Sequence, residues 1–200
     1  MFTVYGDKRS GNCYKIQLTC ALLDLNYDWI DVDIMHGESQ SAAFKQLSPA
    51  AKIPIVKFAD GRVLSESNAI CNFLAYDSPL YPVDKFTQAA IQQWQFYEQY
   101  SHEPNIAVAR FIKLYQGLPD NRQAEYENKV VGSYKALEVM EKALQQMPFF
   151  AGENLTTADI SLFAYTHKAD EGGISLADFP NVEAWIERVQ SSPNFVTMDY

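Results

Sequence analysis

Ser10 opens the run Ser10-Gly11-Asn12-Cys13 at the predicted start of a helix, where a hydroxyl can act on an anion. Backbone N–H groups and the helix dipole favour negative charge there, and the hydroxyl adds a donor. A thiolate would be stabilised at this point. A hydrogen bond to a charged group is worth roughly 1.5–3 kcal/mol, so donation from Ser10 would lower a thiol pKa by about one to two units from its reference near 8.5. The same hydroxyl can also serve simply as a helix cap. Asn12 presents an amide to the same space, either as a second thiolate contact or as a cap of its own. Cys13 stands one residue further into the turn, where the dipole can activate a thiol. Lys15 either offsets anions in that pocket or snorkels at the surface, and surface placement is the expectation.

Charge-reading groups recur further along. Ser65-Glu66-Ser67 starts a predicted helix, whose free N–H groups and serine hydroxyl suit a carboxylate while Glu66 suits an ammonium. Lys52 carries a point charge beside Ile53-Pro54. Thr156-Thr157-Ala158-Asp159 has a hydroxyl and a carboxylate three residues apart, the pattern of a capping box and hence a folding device. Arg110 sits amid apolar neighbours on a predicted helix, where it either lines a substrate pocket or meets an acid at a subunit interface. His36, His102 and His167 lack metal-ligand spacing, so no metal is expected.

The elements that must position these residues change in kind along the chain. Phe2–Tyr5 reads as a strand, Ser10 onward as a helix with Ile16, Cys20 and Leu23 on one face, and Tyr27–Ile34 as a second strand. Ser41–Leu47 is helical. Ile53–Phe58 and Arg62–Leu64 flank the turn dipeptide Asp60-Gly61, and a helix follows from Ser65. This order, β-α-β-α-β-β-α over residues 1–76, fits an α/β thioredoxin-like layer. Residues 77–84, with two prolines, read as a linker. Residues 85–200 then read as an all-α helical domain, with Ile91 and Trp94, then Val130, Tyr134, Leu137, Met140 and Leu144, at helical spacing.

Composition narrows the classes. The 200 residues are 48% hydrophobic, enough for a core, and carry a formal net charge of −9, which leaves no basic footprint for nucleic acid. No apolar run approaches the roughly 20 residues needed to span a bilayer. Cys13 and Cys20 on one helix would stand about 10.5 Å apart in rise, beyond disulfide reach, so reduced thiols in a cytoplasm are expected.

Taken in order, Ser10-Gly11-Asn12-Cys13, Ser48 to Pro54, Ser65 to Ile70 and Leu155 to Asp159 resemble the motifs of the cytosolic glutathione transferases over nearly the whole chain. Ser10-Gly11-Asn12-Cys13 and Phe96 to Pro104 look like a bacterial, serine-type branch. The resemblance implies that Ser10, helped by Asn12, is catalytic and that Cys13 packs into the fold. It implies a glutathione site at Gln40, Lys52, Ile53, Pro54, Glu66 and Ser67, with a cis bond before Pro54 and Glu66 facing the γ-glutamyl ammonium. Gln40 falls where some serine-type relatives place a basic contact, with Ser39 beside it; neither is charged. An apolar electrophile pocket in the helical domain, with Arg110 a candidate in it, and a homodimer are further implications. Disulfide reductase or peroxidase chemistry, and a binding protein without turnover, are the alternatives.

Overall fold

The computed structural model describes residues 1–198. It divides into two units, one of Met1–Tyr76 with the segment that begins at Ser192, the other Asp77–Ser191.

The first unit is a four-stranded sheet with helices on both faces. Strands β1 (Phe2–Gly6), β2 (Asp28–Asp31), β3 (Ile55–Phe58) and β4 (Val63–Ser65) lie in the order β2-β1-β3-β4. β1 runs parallel to β2 and antiparallel to β3, and β3 and β4 form the hairpin around Gly61, whose φ of 87° suits glycine. Alternation along each strand sorts side chains to two cores. Val4 and Val56 face Ile16 and Cys20 of helix α1 (Gly11–Leu22) and Ile70 and Cys71 of helix α3 (Ser67–Leu74). Ile55 and Tyr5 face the other way, onto Phe44 of helix α2 (Ala42–Leu47).

Register decides what gathers at one end of this sheet. Tyr5 pairs with Ile55, Ile55 with Ser65 and Gly6 with Asp31. The loop after β1, the residues before β3, those after β4 and the loop after β2 therefore all leave from the same edge, which carries Ser10, Ile53-Pro54, Glu66 and Gln40 respectively. β2 is shorter than the expected Tyr27–Ile34 because the Asp33 carboxylate bends the chain, accepting from the backbone N–H groups of Met35 and His36 and bonding the His36 ring.

The second unit is helical. Helix α4 (Lys85–Tyr97), capped by Asp84, continues through a wide turn at Glu98–His102 into α5 (Glu103–Arg110). Helix α6 (Gln123–Leu144) buries Ala136, Leu137, Met140 and Leu144, while Val130 and Tyr134 are only half-buried. Helix α7 (Thr157–Thr166) is buried on every side rather than on the single face of Ile160, Phe163 and Ala164, so it forms the centre of the unit. Asp159 accepts from the Thr156 and Phe150 backbone N–H groups, the Thr156 hydroxyl and the Trp185 indole of helix α8 (Pro180–Gln190). The capping box at its start thus ties three segments together.

Two boundaries differ from the expected ones. Residues 77–84, expected as a separate linker, are packed into the second unit: Leu80 and Tyr81 are buried, and the Leu80 carbonyl accepts from Thr157 N–H at 2.9 Å. Residues 192–198, expected in the helical domain, group with the first unit, where the buried Tyr14 hydroxyl donates to the Val196 carbonyl at 2.6 Å. Among the described residues no helix is long and apolar enough to cross a membrane.

His167 follows α7, stacked flat on Phe163 at 4.4 Å with its Nδ1 bonded to the Phe163 carbonyl, and burial pushes its pKa down to about 4. The fold therefore favours the neutral ring. That contribution is complete above the unfolded value near 6.5 and is lost as pH falls towards 4, by about 3 kcal/mol. Urea unfolding of the native protein and of His167→Gln across pH 4–7 should show a smaller acid loss in the variant by that amount; parallel profiles would contradict it.

Candidate functional site

Ser10 is the N-cap of α1. Its Oγ accepts weakly from Cys13 N–H at 3.4 Å, and its backbone N–H is bonded to the Asp7 carbonyl. Capping uses an oxygen lone pair, and an anion would use the hydroxyl proton, so the two roles that the sequence leaves open are compatible. Ser10 and Asn12 are both half-buried.

The loop that holds Ser10 is fixed by charge. Arg9 donates to both carboxylate oxygens of the buried Asp7, at 2.9 and 2.6 Å, and reaches Asp33 at 2.8 Å. Burial raises the Asp7 carboxyl, and its hydrogen bonds with Arg9 more than offset that, holding it below the usual range. Asp33 is lowered by His36 and Arg9. This network ties the Ser10 loop to the loop that leads to Gln40.

Cys13 points into the fold with its thiol in hydrogen-bonding reach of the Ser10 side chain. It is fully buried beneath β1, and burial pushes its thiol up to about 12, well outside the range of a reactive thiolate. Gly6 makes room for it, since a Cβ there would stand 2.8 Å from Cys13 Sγ and 2.9 Å from the Trp29 ring. Burial and the neighbouring Cys71 raise Cys20 likewise to about 12.

Asn12 does not cap the helix. Its Oδ1 accepts from the Ser67 hydroxyl at 3.1 Å, joining the first turn of α1 to the first residue of α3. The Ser67 hydroxyl is thereby turned towards Asn12, and what Ser67 offers a carboxylate at the helix start is its backbone N–H. Glu66, the N-cap of α3, makes no side-chain cap bond and is held exposed at φ 69°. Non-glycine residues at such φ cost energy and concentrate where ligands are clamped. The Ile53–Pro54 bond is cis. Lys52 is exposed at the same sheet edge and its carbonyl accepts from Ser48 Oγ, while Gln40 is exposed in a single helical turn beside buried Ser39.

Two lysine and arginine readings change. Lys15, expected at the surface, is wholly buried, with Nζ 3.4 Å from Ser67 Oγ and 3.3 Å from Asn68 Oδ1. The available sequence signal was its spacing of three from Asn12, which puts both on one helix face. Arg110 is 3% exposed and donates to Glu171 at 2.5 Å and to the Tyr115 hydroxyl at 3.1 Å. An acid partner of this cation therefore lies in its own chain. Among the described residues no three His, Cys, Asp or Glu side chains are grouped to hold a metal ion.

The chain thus joins a thioredoxin-like sheet to a helical unit, with a serine at the start of α1 and a cis-proline before β3. Comparison with known families names its class. The glutathione S-transferase N-terminal domain matches residues 9–76 and the C-terminal domain residues 93–193, and the chain belongs to this family. A crystal structure of a glutathione S-transferase from Pseudomonas fluorescens Pf-5 is 53% identical and superposes with a TM-score of 0.97 over 98% of both chains. One described as a possible glutathione S-transferase from Rhodopseudomonas palustris is 42% identical, with a TM-score of 0.96 over 100% of this chain and 90% of that one. The disulfide-bond oxidoreductase YfcG of Escherichia coli K12 is 30% identical over 189 residues, covering 91% of this chain and 87% of its own.

In the folded protein Cys13 and Cys20 should resist alkylation at neutral pH and react only on unfolding, as mass spectrometry after iodoacetamide would show. Gly6→Ala should destabilise by about 2 kcal/mol through overpacking, and pairing it with Cys13→Ala should recover part of that loss in urea unfolding.

Proposed function

We propose that the first unit binds glutathione and that Ser10 holds its sulfur as a thiolate for attack on an electrophile. The observation that carries this reading is the half-buried Ser10 hydroxyl at the N-terminus of α1, on the same sheet edge as the cis-Pro54 turn and the start of α3. Ile53 offers backbone groups to the cysteinyl unit, as an extended peptide ligand requires. The backbone N–H groups of Ser67 and Asn68 take the γ-glutamyl carboxylate and Glu66 its ammonium. Lys52 and Gln40 take the glycine carboxylate.

Catalysis is then ionisation and placement. Donors at Ser10 and Asn12 lower the thiol pKa, so more of the bound ligand is nucleophilic at neutral pH. In addition or substitution the sulfur lone pair forms the new bond to carbon, and the electrons of the broken bond leave with the displaced group or settle on the acceptor. The enzyme itself forms no covalent bond. The same reading carries an apolar electrophile, a homodimer, a cytoplasmic location and a role in detoxification.

A second reaction is favoured by the relative named as a disulfide-bond oxidoreductase. The bound thiolate would attack a glutathionylated disulfide, form a sulfur–sulfur bond to its glutathionyl half and release the other half as thiolate, yielding oxidised glutathione. The buried, high-pKa Cys13 supports assigning this chemistry also to the ligand's sulfur rather than to a protein thiol.

Calorimetry with glutathione, combined with thiolate absorbance across pH, should show Ser10→Ala still binding but with the ligand's thiol pKa raised by about one to two units. No binding by the native protein would overturn the reading. Lys52→Ala should weaken binding by no more than about fivefold, the scale of an exposed ion pair. Turnover of a chloronitrobenzene against that of a small glutathionylated disulfide decides between the two reactions.

A further inference from the structure

In the reading above, the ligand's sulfur and its glycine carboxylate fall on two different loops of the first unit, one after β1 with Ser10 and one after β2 with Gln40. A tripeptide is gripped at both ends only if those loops keep a fixed separation. Backbone pairing fixes it as far as Val32, whose N–H donates to the Gly6 carbonyl at 2.9 Å. Beyond that point both segments leave the sheet, and a side chain takes over.

Arg9 spans the gap. Its Nε and Nη2 donate to the two carboxylate oxygens of Asp7 at 2.9 and 2.6 Å, and Nη2 also donates to Asp33 Oδ1 at 2.8 Å. The Asp7 end is anchored to the Ser10 loop, because the Asp7 carbonyl accepts from Ser10 N–H at 2.9 Å. The Asp33 end organises the other loop: its Oδ1 accepts from the N–H groups of Met35 and His36 at 3.0 and 3.3 Å, and its own N–H donates to Glu38 Oε2 at 2.8 Å. Glu38 opens the helical turn that ends at Gln40. One guanidinium therefore links the two loops on which the ligand's ends are proposed to rest.

Magnitude separates placement from stability. Arg9 and Asp33 are only half-buried, and a pair with that access to water is worth roughly 0–1 kcal/mol. Its geometry is the more informative property: a planar fork meets two carboxylates at once, which an ammonium on a flexible stem does not reproduce. We propose that Arg9 is a positioning residue that sets specificity: acting through Asp33, it holds the Gln40 turn at the separation from Ser10 that the glycine unit of glutathione needs, so that the site prefers the tripeptide to γ-glutamylcysteine. This rests on the glutathione reading of the first unit.

Calorimetry with glutathione and with γ-glutamylcysteine, which lacks only the glycine unit, measures that preference in the native protein, Arg9→Lys, Gln40→Ala and the double variant Arg9→Lys/Gln40→Ala. Arg9→Lys keeps a cation beside Asp7 and loses the fork. It should weaken glutathione by about fivefold, the scale of an exposed ion pair, while γ-glutamylcysteine affinity and the thiol pKa of the bound ligand stay near native. Gln40→Ala should show the same selective loss, and the double variant no more than the larger single loss, as expected of residues that act through one contact. An Arg9→Lys protein that weakens both ligands alike or neither, whatever its melting temperature, makes Arg9 structural only and overturns the proposal; so do additive losses in the double variant, or a native protein that binds the two ligands equally. If Arg9→Lys does not fold, an unchanged ligand preference in Asp33→Asn overturns it in the same way. If the native protein binds neither ligand, the glutathione reading itself fails, and the link is judged in the free protein by amide hydrogen exchange. There the amides of Met35, His36 and Gln40 should exchange faster in Arg9→Lys than in the native protein; unchanged exchange overturns it.

Discussion

The hydroxyl of Ser67 joins the first turn of α1 to the first turn of α3, and the chemistry proposed for the first unit depends on that junction. Each helix start carries partial positive charge from its unpaired N–H groups. Bringing two such ends together, with the Lys15 ammonium buried behind them, concentrates positive potential in a chain whose formal net charge is −9. An anion relieves that concentration. A ligand with a carboxylate at one end and an ionisable thiol several bonds away matches the two helix starts, one for each charge.

Around the junction the backbone is held rather than left to settle. Asp7, Arg9 and Asp33 lock the loop before Ser10 to the loop after β2. Glu66 sits at φ 69° and Ala51 at φ 55°, conformations that persist only where surrounding structure imposes them. Gly6 lets β1 pass against Cys13 and Trp29 with no room for a side chain. These features cost stability locally and keep the groups proposed to face the ligand in place, which is what preorganisation requires.

What could be read from the sequence was what is local. The Asp60-Gly61 turn, the Thr156–Asp159 box and the Ser10 cap each depend on residues within a few positions of one another. The convergence of Ser10, Pro54 and Glu66 was legible only through the order of family motifs, because its physical cause is strand register. Lys15 was misplaced because helix spacing names a face and not what covers it; the α3 side chains that bury it are more than fifty residues away. Arg110 was left open for the same reason, its partner Glu171 lying 61 residues further on. The last residues were assigned to the helical unit since nothing nearby signals that Tyr14 will hold Val196.

A crystal structure of the protein with glutathione tests the central claim most directly. The account predicts the ligand's sulfur within hydrogen-bonding distance of both Ser10 Oγ and Asn12 Nδ2, and its γ-glutamyl carboxylate on the backbone N–H groups at the start of α3. A sulfur out of reach of both donors, or bonded to Cys13, would contradict it.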